Sequence, residues 1–439
     1  MRGLVCVLIV LLAFACNGSE EAPRTATPAP SPSATAAATA TATATAVATT
    51  TAAPTSTPAA AQTPLGPQQP VALEEGATVT EMGVYLAEAA TGRLWRLDRG
   101  GVWSPDGKTL ASAPCCGRQG GLDLIEIPAG PAVRIFTGEV DTLTWSPDGD
   151  QIAFSPAQGT YVINRDGSGL KRLSESTGWV SWSPRGDRIA LQGPGLHLVE
   201  VATGDTSEIP DATQAPWFSG SVSWSPDGTL LAFVNDSGLY IYNPDTGDRR
   251  QIAVGPSGFP SWSPDGSRIA FQFGPRVAMT YGAYAHDPEA GMRLYHVVEV
   301  DGSTDPKPLP PARSPSWSPN GTSMTYLSDG CITGEWDVYT VRPDGSSAKR
   351  PDGSSAKRLT DTPDSVKEGP VWSPTGPSIA YSTLDKLMLV DAESGELQTL
   401  ATSGGSESYR PGIHLHDSVW SPDGRYIQFG AGGAHGICD

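Results

Sequence analysis

Short apolar runs recur along the chain between residues 80 and 430. Typical examples are residues 152–154 and 231–233, and each run is bounded by Gly, Pro, Asp or Ser. Runs of three or four apolar residues between turn-forming residues are typical of short β-strands rather than helices. A second apolar run follows most of them, as at residues 161–163 and 239–241, and leads into a turn that contains Gly. The pattern predicts pairs of hairpins throughout this part of the chain.

A single motif marks the turn of each first hairpin. Trp-Ser-Pro-Asp-Gly, with Arg185, Asn320 or Thr375 in place of Asp in three copies, occurs eight times. Proline fixes φ for a turn, Asp accepts hydrogen bonds from nearby backbone N–H groups, and Gly supplies the positive φ that reverses the chain. We expect each Trp to fill the space between two neighbouring sheets and to be structural. The copies begin at Trp103, Trp145, Trp182, Trp224, Trp262, Trp317, Trp372 and Trp420.

The period of this motif predicts the fold class. Successive copies are 37 to 55 residues apart, and a period of about 40–45 residues is typical of four-stranded propeller blades. A second hairpin follows the first seven copies but not the copy at Trp420, and the missing half lies upstream of the first copy in residues 83–97. We therefore predict an all-β, eight-bladed β-propeller whose N-terminal strands complete the last blade and leave no open sheet edge at the closure.

These eight copies resemble the repeats of TolB-type propellers, the family that also forms the propeller of dipeptidyl peptidase IV-like enzymes. The resemblance covers about residues 80–430. It implies a protein-interaction platform in the cell envelope, as in TolB, whereas the peptidase propeller filters access to a separate hydrolase domain. The sequence contains no Gly-x-Ser-x-Gly motif for a hydrolase nucleophile. The resemblance implies the fold more strongly than any activity.

The first 15 residues have the features of an export signal. Arg2 provides a positive start, residues 4–14 are apolar but too few to span a bilayer, and small residues precede Cys16. The segment resembles a bacterial lipoprotein signal, which implies that Cys16 carries a diacylglyceryl group. An ordinary cleaved secretory signal is the alternative interpretation. The expected location is the outer side of the cytoplasmic membrane, with a lipid as the only anchor.

A segment of low complexity separates this signal from the repeats. Residues 17–70 consist almost entirely of Thr, Ala, Pro and Ser, which offer too little apolar surface to offset the entropy lost on ordering. We expect residues 16–75 to be the lipidated cysteine and a disordered tether, and residues 76–439 to be the propeller. The net charge of −18 excludes nucleic acid as a partner, because phosphate binding needs clustered Lys and Arg. A monomer with an acidic, solvated surface is expected.

The loops on the face opposite the motif turns hold most of the chemically unusual side chains. Aromatic rings and an arginine in such loops suit recognition of a sugar or an extended peptide. His414 and His416 would lie on one side of an extended segment, which is a workable spacing for a metal, with His286 and His435 as possible further ligands. The alternative is that these are exposed loop histidines. The candidate ligand-binding residues are Tyr281, Tyr284, His286, Tyr409, Arg410, His414 and His416.

Four cysteines remain after the signal, and disulfides are expected for an exported protein. They are Cys115, Cys116, Cys331 and Cys438. Because blades one and eight are neighbours, the preferred hypothesis is that Cys438 forms a disulfide with Cys115 or Cys116. This bond would crosslink the two blades at the ring closure. The partner of Cys331 stays open, and a four-thiolate zinc site is an alternative.

Two functional hypotheses follow from these residues. The leading hypothesis is a non-enzymatic, lipid-tethered platform that binds a protein or a glycan and needs no cofactor. The alternative is a metal-dependent polysaccharide lyase or hydrolase with its site at the mouth of the propeller channel, where the histidines would hold the metal.

Overall fold

The turns of the repeated motif form through hydrogen bonds between its own residues. In the second copy the Ser146 hydroxyl donates to Asp148 Oδ1 at 2.5 Å, and the same oxygen accepts the backbone N–H of Asp150 at 3.1 Å. The hydroxyl oxygen of Ser146 accepts the N–H of Gln151 at 2.9 Å, and Gly149 has a φ of 77°. The predicted roles of Asp and Gly are therefore confirmed in this copy.

The computed structural model describes most of the chain from residue 70 onwards. The described residues are 70–74, 76–113, 120–210, 212, 222–235, 237–255, 257–273, 294–310, 312–328, 336–343, 356–361, 368–404 and 413–432. They form strands and turns without a helix, so no helix in this part is long and apolar enough to cross a membrane.

Three strands precede the first motif, and four complete blades follow them. The first three strands are β1 (Val71–Ala72), β2 (Gly83–Glu88) and β3 (Leu94–Leu97). The first blade contains β4 (Val102–Trp103), β5 (Thr109–Ser112), β6 (Gly121–Glu126) and β7 (Ala132–Thr137), and the second contains β8 (Thr142–Trp145), β9 (Gln151–Ser155), β10 (Thr160–Asn164) and β11 (Lys171–Ser174). The third contains β12 (Trp179–Trp182), β13 (Arg188–Gln192), β14 (Leu196–Glu200) and β15 (Thr206–Glu208), and the fourth contains β16 (Val222–Trp224), β17 (Leu231–Asn235), β18 (Gly238–Tyr242) and β19 (Arg249–Val254).

Three further blades and one half-blade complete the chain order. The fifth blade contains β20 (Ser257–Trp262), β21 (Arg268–Phe273), β22 (Leu294–Glu299) and β23 (Lys307–Pro308), and the sixth contains β24 (Arg313–Trp317), β25 (Met324–Ser328), β26 (Asp337–Val341) and β27 (Lys357–Arg358). The seventh contains β28 (Glu368–Trp372), β29 (Ser378–Ser382), β30 (Lys386–Asp391) and β31 (Leu397–Thr402), and the eighth begins with β32 (His414–Trp420) and β33 (Tyr426–Gly432).

The sheets follow the order that the repeats predict. Seven sheets have four antiparallel strands in sequence order, and the eighth has the order β1-β3-β2-β33-β32. Strand β2 pairs with β33 over six residues, from Gly83 opposite Ala431 to Glu88 opposite Tyr426. The chain is an eight-bladed β-propeller, and the prediction that the N-terminal strands complete the last blade is confirmed.

The segment before β2 also belongs to this closure. Strand β1 pairs with β3 as a fifth strand at the outer edge of the last blade, upstream of residue 76. Val79 is fully buried, its N–H donates to Thr402 O at 2.8 Å, and its carbonyl accepts the N–H of Gly404 at 2.9 Å. The backbone around Val79 therefore joins the eighth blade to the outermost strand of the seventh.

The hydrophobic core consists of layers between neighbouring blades. Seven of the eight motif Trp residues are buried, and each packs against an adjacent blade. Trp262 of the fifth blade, for example, packs in one cluster with Val234 and Leu239 of the fourth. The predicted structural role of these indoles is confirmed.

Five of these indoles also form a hydrogen bond that reaches into the preceding blade. In each case Nε1 donates to the carbonyl of the residue just before the previous motif Trp, so the bond joins two innermost strands. The bonds run from Trp145 to Val102 (3.0 Å), Trp224 to Ser181 (3.1 Å), Trp262 to Ser223 (2.9 Å), Trp317 to Ser261 (3.1 Å) and Trp420 to Val371 (3.1 Å).

The other three indole N–H groups, of Trp103, Trp182 and Trp372, are buried without a partner within the described part of the chain. At two of these interfaces a lysine of one blade donates a hydrogen bond to a backbone carbonyl of the next blade, and we name this contact a lysine clamp. Lys171 Nζ of the second blade donates to Ala202 O of the third at 3.0 Å, and Lys357 Nζ of the sixth donates to Ala392 O of the seventh at 3.0 Å. The third interface joins the eighth blade to the first, and there Trp103 packs against Val84 and Leu86 of β2.

The motif copy with Arg185 in place of Asp forms an ion pair between blades. Arg185 and Arg188 contact the two carboxylate oxygens of Asp245 in the fourth blade, at 2.9 and 2.6 Å. In the second blade Arg165 approaches Asp106 of the first blade at 3.5 Å with the opposite polarity. With Arg185, the motif turn therefore carries the positive charge and the outer hairpin of the next blade carries the negative one. Between the first and second blades the two charges are the other way round.

We predict that Trp262→Phe is more destabilising than Trp182→Phe. Both changes remove the same indole volume, but only the first breaks a hydrogen bond and leaves the Ser223 carbonyl without its donor. The difference in unfolding free energy should be about 1 kcal/mol or more. Urea unfolding of both variants, monitored by fluorescence, measures it. Equal losses in the two variants would contradict a stabilising role for the indole hydrogen bond.

Candidate functional site

The innermost strand of each blade runs from the loop face of the ring to the motif turn. The residue three positions before each motif Trp therefore lies at the loop end of this strand, and we name this place the mouth position. Its described occupants are Gly100, Thr142, Trp179, Phe259, Ser314, Gly369 and Asp417. In the fourth blade the mouth position lies outside the described residues.

Two large aromatic side chains occupy mouth positions without being buried. Trp179 of the third blade is 49% exposed, and Phe259 of the fifth blade is 40% exposed. Rings of this size at the core of a blade are at most a few per cent exposed, as Phe233 and Phe271 show. Exposed aromatic rings on a rigid scaffold are typical of a surface that binds another molecule.

The innermost strands of blades five to eight contain a bulge at the mouth position. In β20, Phe259 and Pro260 stand opposite the single residue Phe271, because Gly258 pairs with Gln272 and Ser261 with Ala270. The same two-against-one arrangement occurs in β24, β28 and β32. A bulge of this kind redirects one side chain and increases the local twist.

Three of these bulges hold a residue in the left-handed region of backbone space. Phe259, Ser314 and Asp417 have φ values of 49°, 48° and 54°. They are the only residues other than Gly with positive φ among those the structure describes. Among the described residues other than glycine, the left-handed backbone is thus confined to mouth positions.

A cavity of about 320 Å³ lies between the bulges of the fifth and sixth blades. The bulged pairs of the two blades form opposite walls, and side chains from β20 to β22 complete the lining. The main lining residues are Phe259, Pro260, Ser261, Tyr295, Ser314 and Pro315. None of them carries a charge, so the lining is apolar with hydroxyl groups.

The eighth blade presents a different group at its mouth. His414 and His416 lie two residues apart in β32 and not in the predicted loop, because β33 extends to Gly432 and pairs with His414. His416 is 7% exposed, and its Nδ1 lies 2.8 Å from Asp417 Oδ2. This hydrogen bond lowers the pKa of Asp417, more than burial raises it. The imidazole thus contacts a carboxylate that stays ionised.

Most of the residues predicted as site candidates lie outside the described residues. This applies to Cys16, Cys115, Cys116, Tyr281, Tyr284, His286, Cys331, Tyr409, Arg410, His435 and Cys438. Of the seven candidates for ligand binding, the structure places only His414 and His416, on the same strand. Within the described ranges no group of three His, Cys, Asp or Glu is arranged to hold a metal ion. The metal and disulfide hypotheses therefore stay predictions.

Sequence reasoning missed Trp179, Phe259 and the cavity. A signal for the bulges was available, because Pro260, Pro315 and Pro370 each stand two residues before a motif Trp. Proline has no N–H to donate to a strand ladder and is found at bulges or edges. The signal for Trp179 is weaker, since alternation along a short strand does not distinguish a ring that faces a channel from one that packs between sheets.

Comparison with known proteins supports the architecture. No protein-family model matches this sequence, and no curated protein matches it. Dipeptidyl peptidase 4 from Porphyromonas gingivalis is similar in structure, with a TM-score of 0.53 and 14% identity over 75% of this chain and 56% of that chain. The match therefore spans little more than half of the peptidase. At this identity it shows the propeller fold and nothing about activity.

Two other solved structures have lower TM-scores. An oligogalacturonate lyase in complex with manganese has a TM-score of 0.45 and 15% identity over 75% of this chain and 97% of that chain. TolB from Acinetobacter baumannii has a TM-score of 0.35 and 16% identity over 54% of this chain and 61% of that chain.

We predict that His416→Ala raises the pKa of Asp417. The His416 hydrogen bond is the largest cause of the lowered value, and burial alone acts in the opposite direction. The folded pKa lies below the unfolded one, so the stability from this pair is present above about pH 4. It is lost as the pH falls through the folded pKa, and less is lost in the variant. A carbon-13 NMR titration of the carboxyl group measures the pKa.

The matched control for this titration is His414→Ala. His414 lies in the same strand but is not among the groups that shift the pKa of Asp417, so this pKa should stay at its wild-type value. An unchanged pKa in His416→Ala would contradict the assignment.

Proposed function

We propose that this protein is a non-enzymatic binding platform of the cell envelope, and that the loop face of its propeller binds a protein or a glycan. The observation that carries the proposal is the pair of exposed rings, Trp179 and Phe259, at mouth positions of two blades. Aromatic side chains of this kind dominate the binding energy of many interfaces, because they bring a large area and little conformational entropy.

The framework around these rings supports a binding role. Each mouth position is followed after three residues by a motif Trp that packs between blades, so the backbone below the ring is fixed. Binding residues that sit on such a rigid frame lose little conformational entropy when a ligand is bound. The mouth also differs from blade to blade, from glycine to tryptophan, which gives the face a shape that one partner can recognise.

The location is part of the proposal and rests on the sequence. The N-terminal segment resembles a lipoprotein signal, and Cys16 is the residue that would carry the lipid. Residues 17–70 would act as a spacer between the lipid and the propeller. The protein would then face its partner from the outer side of the cytoplasmic membrane.

We predict that Trp179→Ala weakens partner binding by about tenfold or more, the loss expected for a central aromatic contact. The mature chain, immobilised through its C-terminus, is incubated with envelope extract and, in parallel, with a glycan array. Each bound component is identified and its affinity is measured for the wild type and the variant.

The control is Val419→Ala, which changes another exposed side chain of an innermost strand in the eighth blade. This variant should bind like the wild type and should show that the fold is intact. Absence of any saturable protein or glycan ligand, or equal affinity in Trp179→Ala, would contradict the proposed function.

A further inference from the structure

The backbone at Phe259 is strained. A bulky side chain with φ near 50° is a backbone outlier, because the left-handed region is sterically unfavourable for such a residue. The equivalent bulges hold Ser314, Gly369 and Asp417, and small or polar residues of these types fit a bulge more easily. Since the Phe259 ring is 40% exposed, it does not fill the core.

The position of the ring offers an explanation. Phe259 and Pro260 form one wall of the 320 Å³ cavity, and Ser314 and Pro315 form the other. Strained backbone is often found where a side chain must be presented to a ligand. The cavity volume is at the lower end of the range of about 300–1,000 Å³ for ligand sites, so it fits one or two ring-sized groups.

The lining favours uncharged ligand groups. An ion that leaves water for this cavity would find no opposite charge among the lining residues. The group that enters is therefore expected to be neutral, although the protein as a whole has a net charge of −18.

The number of polar groups distinguishes between two neutral ligands. A sugar ring brings several hydroxyl groups, and each one that leaves water without gaining a partner weakens binding. The lining offers three side-chain hydroxyls, those of Ser261, Tyr295 and Ser314, which are too few to satisfy them. Proline residues bring carbonyl acceptors and no backbone N–H, so a site with a few hydroxyl donors is well matched to them. Grooves lined by aromatic rings are the sites that extended proline helices use in other recognition domains.

We propose that the cavity between the fifth and sixth blades binds a proline residue of an extended, proline-rich peptide segment of a partner protein. Phe259 provides the ring on which the proline packs, and Ser261 and Ser314 donate hydrogen bonds to peptide carbonyls. This inference rests on the proposed binding function and names the chemistry of the partner.

The test uses decaproline as the probe and the mature chain as the receptor, with binding measured by calorimetry. Decaproline should bind saturably, and Phe259→Gly should lower its affinity by about tenfold or more. The thermal midpoint of this variant should fall far less than that of Phe271→Ala, because Phe271 is fully buried in the same blade. Ser314→Ala, which keeps the fold and removes one donor, should lower the affinity by a smaller factor.

Several outcomes would overturn the inference. These are no binding of decaproline, equal affinity in Phe259→Gly, equal affinity for an alanine-substituted peptide of the same length, or displacement of decaproline by cellobiose or chitobiose. The two proposals fail separately. If an envelope partner is lost in Trp179→Ala but still binds Phe259→Gly, the proposed platform function stands and the proline site is overturned. If decaproline binding depends on Phe259 but no envelope partner is found, the platform function is contradicted and the proline site stands.

Discussion

The ring depends on how the motif Trp attaches one innermost strand to the next. The indole packs between two blades, and in five cases its N–H donates to a carbonyl beside the previous motif Trp. This bond fixes both the distance and the register of adjacent blades, because its donor and acceptor stand at repeated positions. The interfaces of Trp182 and Trp372 lack it and carry lysine clamps at the outer hairpins instead. Each of these five bonds and two clamps joins a different pair of neighbouring blades.

Fixing the strands at their turn ends leaves their loop ends able to differ. Bulges occur only in the fifth to eighth blades among the innermost strands that the structure describes. Residues from glycine to tryptophan occupy the mouth positions, although the motif three residues later hardly changes. The repeat therefore divides each innermost strand into a structural end and a variable end. Recognition can change at the variable end without disturbing the packing between blades.

The sequence was sufficient for the fold because its signal is repeated. Eight copies of Trp-Ser-Pro-x-Gly, and a missing outer hairpin at the C-terminus, determine the number of blades and the closure through residues 83–97. The mouth is not repeated, so periodicity could not show it. His414 was expected in a loop because the motif does not reveal how far β33 extends, and pairing with Gly432 places it in a strand. The exposure of Phe259 depends on a bulge that only Pro260 hinted at.

The closure of the ring has a consequence for biosynthesis. Strand β2 emerges near the start of the propeller, but its partner β33 is made almost at the end. A nascent chain therefore holds three early strands, β1 to β3, with one edge of β2 unpaired while seven sheets assemble, and a product cut short before Tyr426 keeps that edge open. An unpaired edge can add a strand from another molecule. A chain that lacks β33 therefore exposes a strand edge that is prone to aggregation.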